Sequence, residues 1–277
     1  MPELPEVEVT RQGVAPYLEG RRVHDVILRR AGLRWPFPPQ LPEWLTGRTI
    51  SGTGRRGKYL LIHFEHGDLI IHLGMSGNLR ILSPDITPEK HDHFDLVMES
   101  PNGLQTMRMT DPRRFGAVLW RHHYEGELEQ HPLLKKLGIE PLGPLFSGKY
   151  LHQHSRTRQM AIKQVLLAGD IVVGVGNIYA SESLYQAGIH PETPAADISL
   201  KRYEKLAQAI RTILAQAIVA GGSTLRDFVG ADGKSGYFQQ SWLVYDRAGQ
   251  PCRNCGAEIR QIKQGQRSTF YCPHCQK

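Results

Sequence analysis

The sequence predicts an α+β protein built in three successive parts, and three observations carry that prediction. Short apolar runs separated by turn residues fill residues 22–120, a helical periodicity occupies Ser199–Ala220, and all four cysteines fall in the last 26 of 277 residues. Hydrophobic residues make up 40% and charged residues 22%, the balance of a folded chain long enough for two cores. No stretch approaches the apolar length that spans a bilayer. The opening Met1-Pro2-Glu3-Leu4-Pro5-Glu6 is acidic and lacks the apolar segment of a signal peptide, so the expected location is cytoplasmic, away from any membrane.

Taken in order, residues 5–19 predict a helix. Pro5 suits its first position, Glu6 and Glu8 suit the positive end of its dipole, Gly20 closes it, and Pro16 weakens its last turn. The runs Val23–Leu28, Tyr59–Phe64, Leu69–Leu73, Phe94–Met98 and Ala117–Trp120 then predict strands of a β-sandwich or barrel. Gly126, Pro132, Gly138, Pro141, Gly143, Pro144 and Gly148 mark a linker. The domains are therefore expected at 1–130, with a linker over 131–150, a helical domain over 151–240 and a terminal ribbon over 241–277. In the helical domain Leu200, Tyr203, Leu206, Ile210, Ile213, Leu214, Ala217 and Ile218 recur at helical spacing until Gly221-Gly222. Residues 222–240 are rich in Gly, Ser and Asp and predict a long loop.

Cys252-x2-Cys255 and Cys272-x2-Cys275 stand 16 residues apart. Each pair can place two thiolates on one metal, and a hairpin between them completes a tetrahedral zinc site. The expected zinc is a single structural ion, replacing a core that so short a segment cannot build. Four protein ligands leave no position for chemistry.

The net charge is +7, and its placement is uneven. Residues 1–200 hold 22 Lys+Arg against 22 Asp+Glu, whereas residues 201–277 hold 12 against 5. A localised basic excess suits a polyanion, since Lys and Arg release counterions from phosphates. A solvated basic face accounts for the charge equally well. Gly174-Val175-Gly176 resembles a dinucleotide loop, but Tyr179 stands where the third glycine is needed and no parallel βαβ pattern surrounds it. Backbone this rich in glycine ahead of Asn177 can instead approach a phosphate.

Four segments occur in order: Pro2-Glu3-Leu4-Pro5-Glu6-Val7-Glu8, Thr110-Asp111-Pro112-Arg113-Arg114-Phe115-Gly116, Gly174-Val175-Gly176-Asn177-Ile178-Tyr179-Ala180-Ser181-Glu182, and the Gln266–Gln276 stretch ending in Cys272-Pro273-His274-Cys275. Together they resemble the bacterial formamidopyrimidine-DNA glycosylase family (Fpg, MutM) across the whole chain. The resemblance implies an N-terminal β-sandwich, a helix–two-turn–helix domain and a zinc ribbon, with DNA lying between the two halves. It implies a monomer acting on double-stranded DNA that contains oxidised purines such as 8-oxoguanine and the formamidopyrimidines. Removal of Met1 exposes the secondary amine of Pro2, which attacks the sugar C1′ and leaves a Schiff base. Glu3 moves protons beside it. The resemblance makes Lys58 and Arg267 the remaining catalytic residues, Lys58 for phosphate contact and proton transfer. For Arg267 we expect positioning and charge stabilisation, because guanidinium is a poor proton donor.

The damaged base must leave the stack. The resemblance assigns the filling of the gap to Met75, Arg113 and Phe115, with Arg113 facing the orphaned cytosine. It assigns further DNA contacts to His72, His91, Arg158, Asn177 and Tyr237, and a lesion-capping loop to 222–236. Gln159-Met160 and Gln164 depart from the residues usual in the family, which weakens the expected phosphate contact near Arg158. Two other readings compete. Endonuclease VIII-like enzymes, which prefer oxidised pyrimidines, share Pro-Glu but not Leu4 or the 111–116 segment. A noncatalytic zinc-ribbon DNA-binding protein accounts for the charge and cysteines but not for Pro2, Glu3 and Lys58.

Overall fold

The computed structural model describes residues 2–222 and 241–277, so Met1 and Tyr237, and the 222–236 loop beyond its first residue, lie outside the described residues. These residues divide into two compact units, one of 2–135 with 220–222, the other of 136–219 with 241–277.

The first unit opens with helix α1 (Leu4–Leu18). Its first helical residue is Leu4, not Pro5, because Glu3 takes the capping position and its N–H donates to Glu6 Oε2 at 2.9 Å. Pro16 falls in the last turn, where the helix survives to Leu18. Strand β1 (Val23–Leu28) and the short helix α2 (Leu41–Leu45) follow. Seven more strands complete the unit: β2 (Ile50–Arg56), β3 (Tyr59–Phe64), β4 (Gly67–His72), β5 (Asn78–Leu82), β6 (Asp92–Ser100), β7 (Gly103–Thr110) and β8 (Ala117–His122). They form two antiparallel sheets, ordered β1-β6-β7-β5 and β2-β3-β4-β8. Val26, Leu79, Leu96 and Met107 from one sheet and Leu60, Ile62, Ile71 and Val118 from the other share a single core, the two-layer sandwich. Helix α1 adds Val7, Val14 and Leu18 to that core and packs on β2, β3 and β5.

Three connections change sheets: β1 to β2 through 29–49, and two short ones, β4 to β5 through 73–77 and β7 to β8 through 111–116. The register pairs His72 with Ala117 at one end and Asn78 with Thr110 at the other. Sheet topology alone therefore lays these two loops side by side.

The second unit contains α3 (Gly148–Ser155), α4 (Ile162–Ala168), α5 (Asn177–Ala187) and α6 (Leu200–Val219). Helix α6 packs on α3 and α5 through Tyr203, Leu206, Ile210, Ile213, Leu214 and Ala217, while Leu200 at its start stays exposed. Gly221 and Gly222 follow with φ of 77° and 79°, values that a helix cannot continue through. No described helix is long and apolar enough to cross a membrane. The chain ends in a hairpin of β9 (Arg260–Gln264) and β10 (Arg267–Tyr271). Gly265 and Gln266, at φ 52° and 65°, make its two-residue turn with both central residues left-handed, the form that matches strand twist. Val244, Ile259, Phe270 and the buried Cys252 and Cys272 form a small separate core. The buried carboxylate of Glu182 in α5 accepts the N–H groups of Leu243, Val244 and Tyr245, which anchors this ribbon to the helix.

Candidate active site and metal centre

Pro2 and Glu3 are buried at the N-terminal, positive end of α1. Glu6, fully buried, fixes the Glu3 backbone through the 2.9 Å bond described above. One turn on, Glu8 reaches Arg55 of β2 at 3.1 Å, and Arg55 Nη1 donates to the Gly57 carbonyl at 2.9 Å. Burial opposes ionisation of Glu8, but Arg11 and Arg55 outweigh it and hold the carboxyl below its ordinary value. Helix α1, which follows Pro2 and Glu3, is thus fastened to the turn that carries Lys58. That turn has two residues, Gly57 and Lys58, between the paired Arg56 and Tyr59, with Gly57 at φ 56°. The glycine frees the turn to be tight, and Lys58 is half-buried at its tip.

Tyr59 faces His72 across β3 and β4, with ring centroids 4.9 Å apart. His72 Nδ1 accepts the Gly74 N–H at 3.0 Å, so this nitrogen bears the lone pair and Nε2 bears the proton. Burial, then the charges of Lys58 and Arg34, depress the imidazole pKa from 6.5 to about 4, with Asp111 opposing. At pH 7 the His72 imidazole is therefore neutral, with its proton on Nε2. Between pH 6.5 and 4 the unfolded chain binds more protons at this residue than the folded one, so stability falls as pH drops through that window. The loss is on the order of 3 kcal/mol at the acid end. An NMR titration should show the His72 ring as the Nε2–H tautomer with a midpoint near pH 4, and a midpoint above pH 6 would contradict this environment.

Loops 73–77 and 111–116 carry Met75, Arg113 and Phe115, all exposed. The Asp111 N–H donates to the His91 carbonyl at 2.9 Å, which puts His91 beside the same loops. Residue identity did not reveal Arg34, whose guanidinium lies over the Trp35 ring and whose charge acts on His72 and Tyr59. Its only local signal was the Arg-Trp-Pro sequence, which reads as an ordinary loop.

In the second unit Asn177 is the first residue of α5, after Gly176, and its Nδ2 donates to the Ser268 carbonyl at 2.9 Å. The buried Lys163 ammonium donates to Thr269 Oγ1 at 2.7 Å and the Ser268 carbonyl at 3.2 Å. These bonds hold the exposed Arg267, first residue of β10, beside the N-terminus of α5. Arg158 is paired with Asp170 at 2.7 Å, an exposed pair that a phosphate can compete with.

The four cysteine sulfurs lie within 4.8 Å of one another, with Cys255 and Cys272 at 3.4 Å and Cys252 and Cys275 at 3.9 Å. Sulfurs about 2.3 Å from one zinc ion sit about 3.8 Å apart along a tetrahedral edge, so this set fits one zinc. Tyr185 Oη stands 3.1 Å from Cys252 Sγ and Asn254 Nδ2 donates to Cys275 Sγ at 3.4 Å, orienting two of the four ligands. All four ligands come from the protein, and the ion is structural.

Three family models match the chain in succession. The formamidopyrimidine-DNA glycosylase N-terminal domain matches residues 1–118, the formamidopyrimidine-DNA glycosylase H2TH domain 137–229, and the zinc finger found in FPG and IleRS 249–277. The formamidopyrimidine-DNA glycosylase of Herminiimonas arsenicoxydans is 67% identical over 277 residues, covering 100% of both chains. Among solved structures, Lactococcus lactis Fpg in complex with abasic-site DNA superposes with a TM-score of 0.90 at 34% identity, covering 99% of each chain. The same organism's Fpg with a Fapy-dG containing DNA gives 0.89 at 34% identity, covering 99% of this chain and 100% of the other.

Proposed function

Because the chain belongs to the formamidopyrimidine-DNA glycosylase family, we propose that it excises oxidised purines from double-stranded DNA through a Schiff base to Pro2 and then cuts the strand. As a member of this family the chain is a DNA glycosylase of base-excision repair acting on oxidised bases, with one structural zinc. The burial of Pro2 and Glu3 together at the positive end of α1 supports the Schiff-base chemistry. An ammonium there is opposed by the helix dipole and a neutral amine is not, which suits a nucleophile.

With Met1 removed, the Pro2 nitrogen attacks C1′ as the bond from C1′ to the base breaks. Glu3 relays a proton to the opening sugar oxygen, and an iminium joins the protein to the sugar. Loss of a proton from C2′ expels the 3′ phosphate, and a second elimination expels the 5′ phosphate. Lys58, Arg267, His72 and Asn177 contact phosphates, as do His91, Arg158 and Tyr237, while Met75, Arg113 and Phe115 fill the gap. Such a substrate sets the place of work in the bacterial cytoplasm, on the nucleoid.

Borohydride trapping on an 8-oxoguanine duplex tests the reading, with mass analysis locating the adduct on the N-terminal peptide. No adduct on lesion DNA would overturn it. A thymine glycol duplex trapped faster would place the preference on pyrimidines instead. Arg267→Ala should weaken binding of abasic-site DNA at fixed salt by about tenfold, near the 1.5 kcal/mol of one charged hydrogen bond. Unchanged affinity would remove the ribbon from the DNA contact.

A further inference from the structure

The buried Asp111 carboxylate joins loops 73–77 and 111–116. Its Oδ1 accepts the Ser76 hydroxyl at 2.7 Å and its Oδ2 accepts the Gly116 N–H at 2.8 Å. The Ser76 oxygen in turn accepts the Arg113 N–H at 3.1 Å. Ser76 is buried as deeply as Asp111, so neither group exchanges these partners for water. Each exposed gap-filling side chain sits on or next to an anchored atom. Met75 precedes Ser76, Arg113 is held by its own N–H, and Phe115 precedes Gly116.

Backbone contact reinforces the link. Gly74, at φ 63°, lies so close that a side-chain carbon there would stand 2.4 Å from the Phe115 carbonyl carbon and 2.5 Å from the Gly116 nitrogen. Gly116 is just as confined, since a carbon on it would meet the His72 carbonyl at 2.9 Å and Asp111 Oδ2 at 3.0 Å. Only glycines allow this approach. Loops that carried their side chains independently would need neither the buried carboxylate nor the paired glycines.

We propose that Asp111 and Ser76 are positioning residues that lock Met75, Arg113 and Phe115 into one preformed wedge, so that the three enter the duplex together. The proposal rests on the gap-filling role given to those three side chains above. A rigid wedge carries its ordering cost before DNA arrives, and misplacement of a group by a fraction of an ångström is felt in the rate. The lock matters only where a stack has to be invaded. A single-stranded abasic oligonucleotide has no stack and no orphaned partner base.

The test compares Ser76→Ala and Asp111→Asn with wild type on two substrates. The asparagine side chain keeps the shape of the carboxylate but turns one of its two acceptor oxygens into an amide donor, so the Ser76 hydroxyl and the Gly116 N–H no longer each meet an acceptor. Excision from an 8-oxoguanine duplex should fall about tenfold in kcat/KM, while cleavage of the single-stranded abasic oligonucleotide stays within about twofold. Preference for cytosine over adenine opposite the lesion should narrow, because Arg113 is no longer held. In a Phe115→Ala background Ser76→Ala should cost less than it does alone, as coupled residues do. Equal losses on both substrates would show a merely structural role and overturn the proposal. So would unchanged duplex excision in Ser76→Ala alongside a clear loss in Phe115→Ala. If Phe115→Ala and Arg113→Ala themselves leave duplex excision unchanged, the gap-filling reading fails instead. Should Asp111→Asn lower the melting temperature enough to unfold the protein, Ser76→Ala alone decides.

Discussion

Pro2→Gly is expected to lower base excision and strand cleavage by at least about 100-fold, ~2.7 kcal/mol of barrier, while lesion-DNA affinity stays near wild type. A glycine at this position still offers an amine, so the experiment isolates what proline adds. It adds a secondary amine whose ring blocks rotation about N–Cα, which forms a charged iminium directly on attack and holds the nitrogen in one orientation. Pro2 is buried beside Glu3, and a more flexible amine there loses the alignment on which intramolecular attack depends. Stopped-flow excision and borohydride trapping measure the loss, and gel-shift binding measures the retained affinity. Near-wild-type cleavage would show that the ring adds nothing, and a trapped adduct on any other residue would remove Pro2 from the chemistry. A fusion that stays attached to the Pro2 nitrogen should be inactive for the same reason, and an active uncleaved fusion would point to another nucleophile.

Removal of zinc should have a comparably large effect by a different route. A strong chelator, or Cys272→Ser, is expected to unfold the ribbon and abolish specific DNA binding, while far-UV circular dichroism of the remaining helices and strands changes little. The apolar core of the ribbon is five buried residues, two of them the ligands Cys252 and Cys272. So small a core does not stand without the metal, whose binding contributes on the order of 10 kcal/mol to such sites. With the ribbon unfolded, β10 no longer presents Arg267, and Asn177 and Lys163 lose their acceptors at Ser268 and Thr269. One zinc released per chain, together with loss of abasic-DNA binding, is the expected outcome. Retained binding at zero zinc would detach the ribbon from DNA recognition.

Some of this architecture was legible in the sequence for plain reasons. Helix α6 buries one stripe, so its apolar residues recur with the helical period. Strands β1 and β3 coincide with apolar runs because they carry several core residues each. The cysteine pairs needed only spacing. Other elements were hidden by their polarity. Strand β2 reads Ile-Ser-Gly-Thr-Gly-Arg-Arg and buries only Ile50 fully, so no apolar run marks it. Strand β7 carries the fully buried Arg108, which reads as a surface residue until Asp95 supplies two hydrogen bonds at 3.0 and 2.9 Å. The start of α1 lies one residue before the position that Pro5 suggests, since the actual cap is a backbone N–H held by Glu6. The Ser76–Asp111 link spans 35 positions of sequence, a separation at which local pattern carries no information.

The topology also sets where this chain tolerates a change of length. The 73–77 and 111–116 connections are fixed at both ends by paired residues, so an added or deleted residue in either would slip a strand and turn its core side chains to the other face. The connection from β5 to β6 runs over exposed residues 83–90 and is tied back in its second half, where the Ile86 carbonyl accepts Arg108 Nη1 and the Glu89 N–H donates to Asp92 Oδ2, each at 2.9 Å. A reporter, affinity tag or cross-linking handle inserted into this protein therefore belongs at 83–85, ahead of these ties. There an insertion lengthens a surface loop and leaves the register of both sheets as it was.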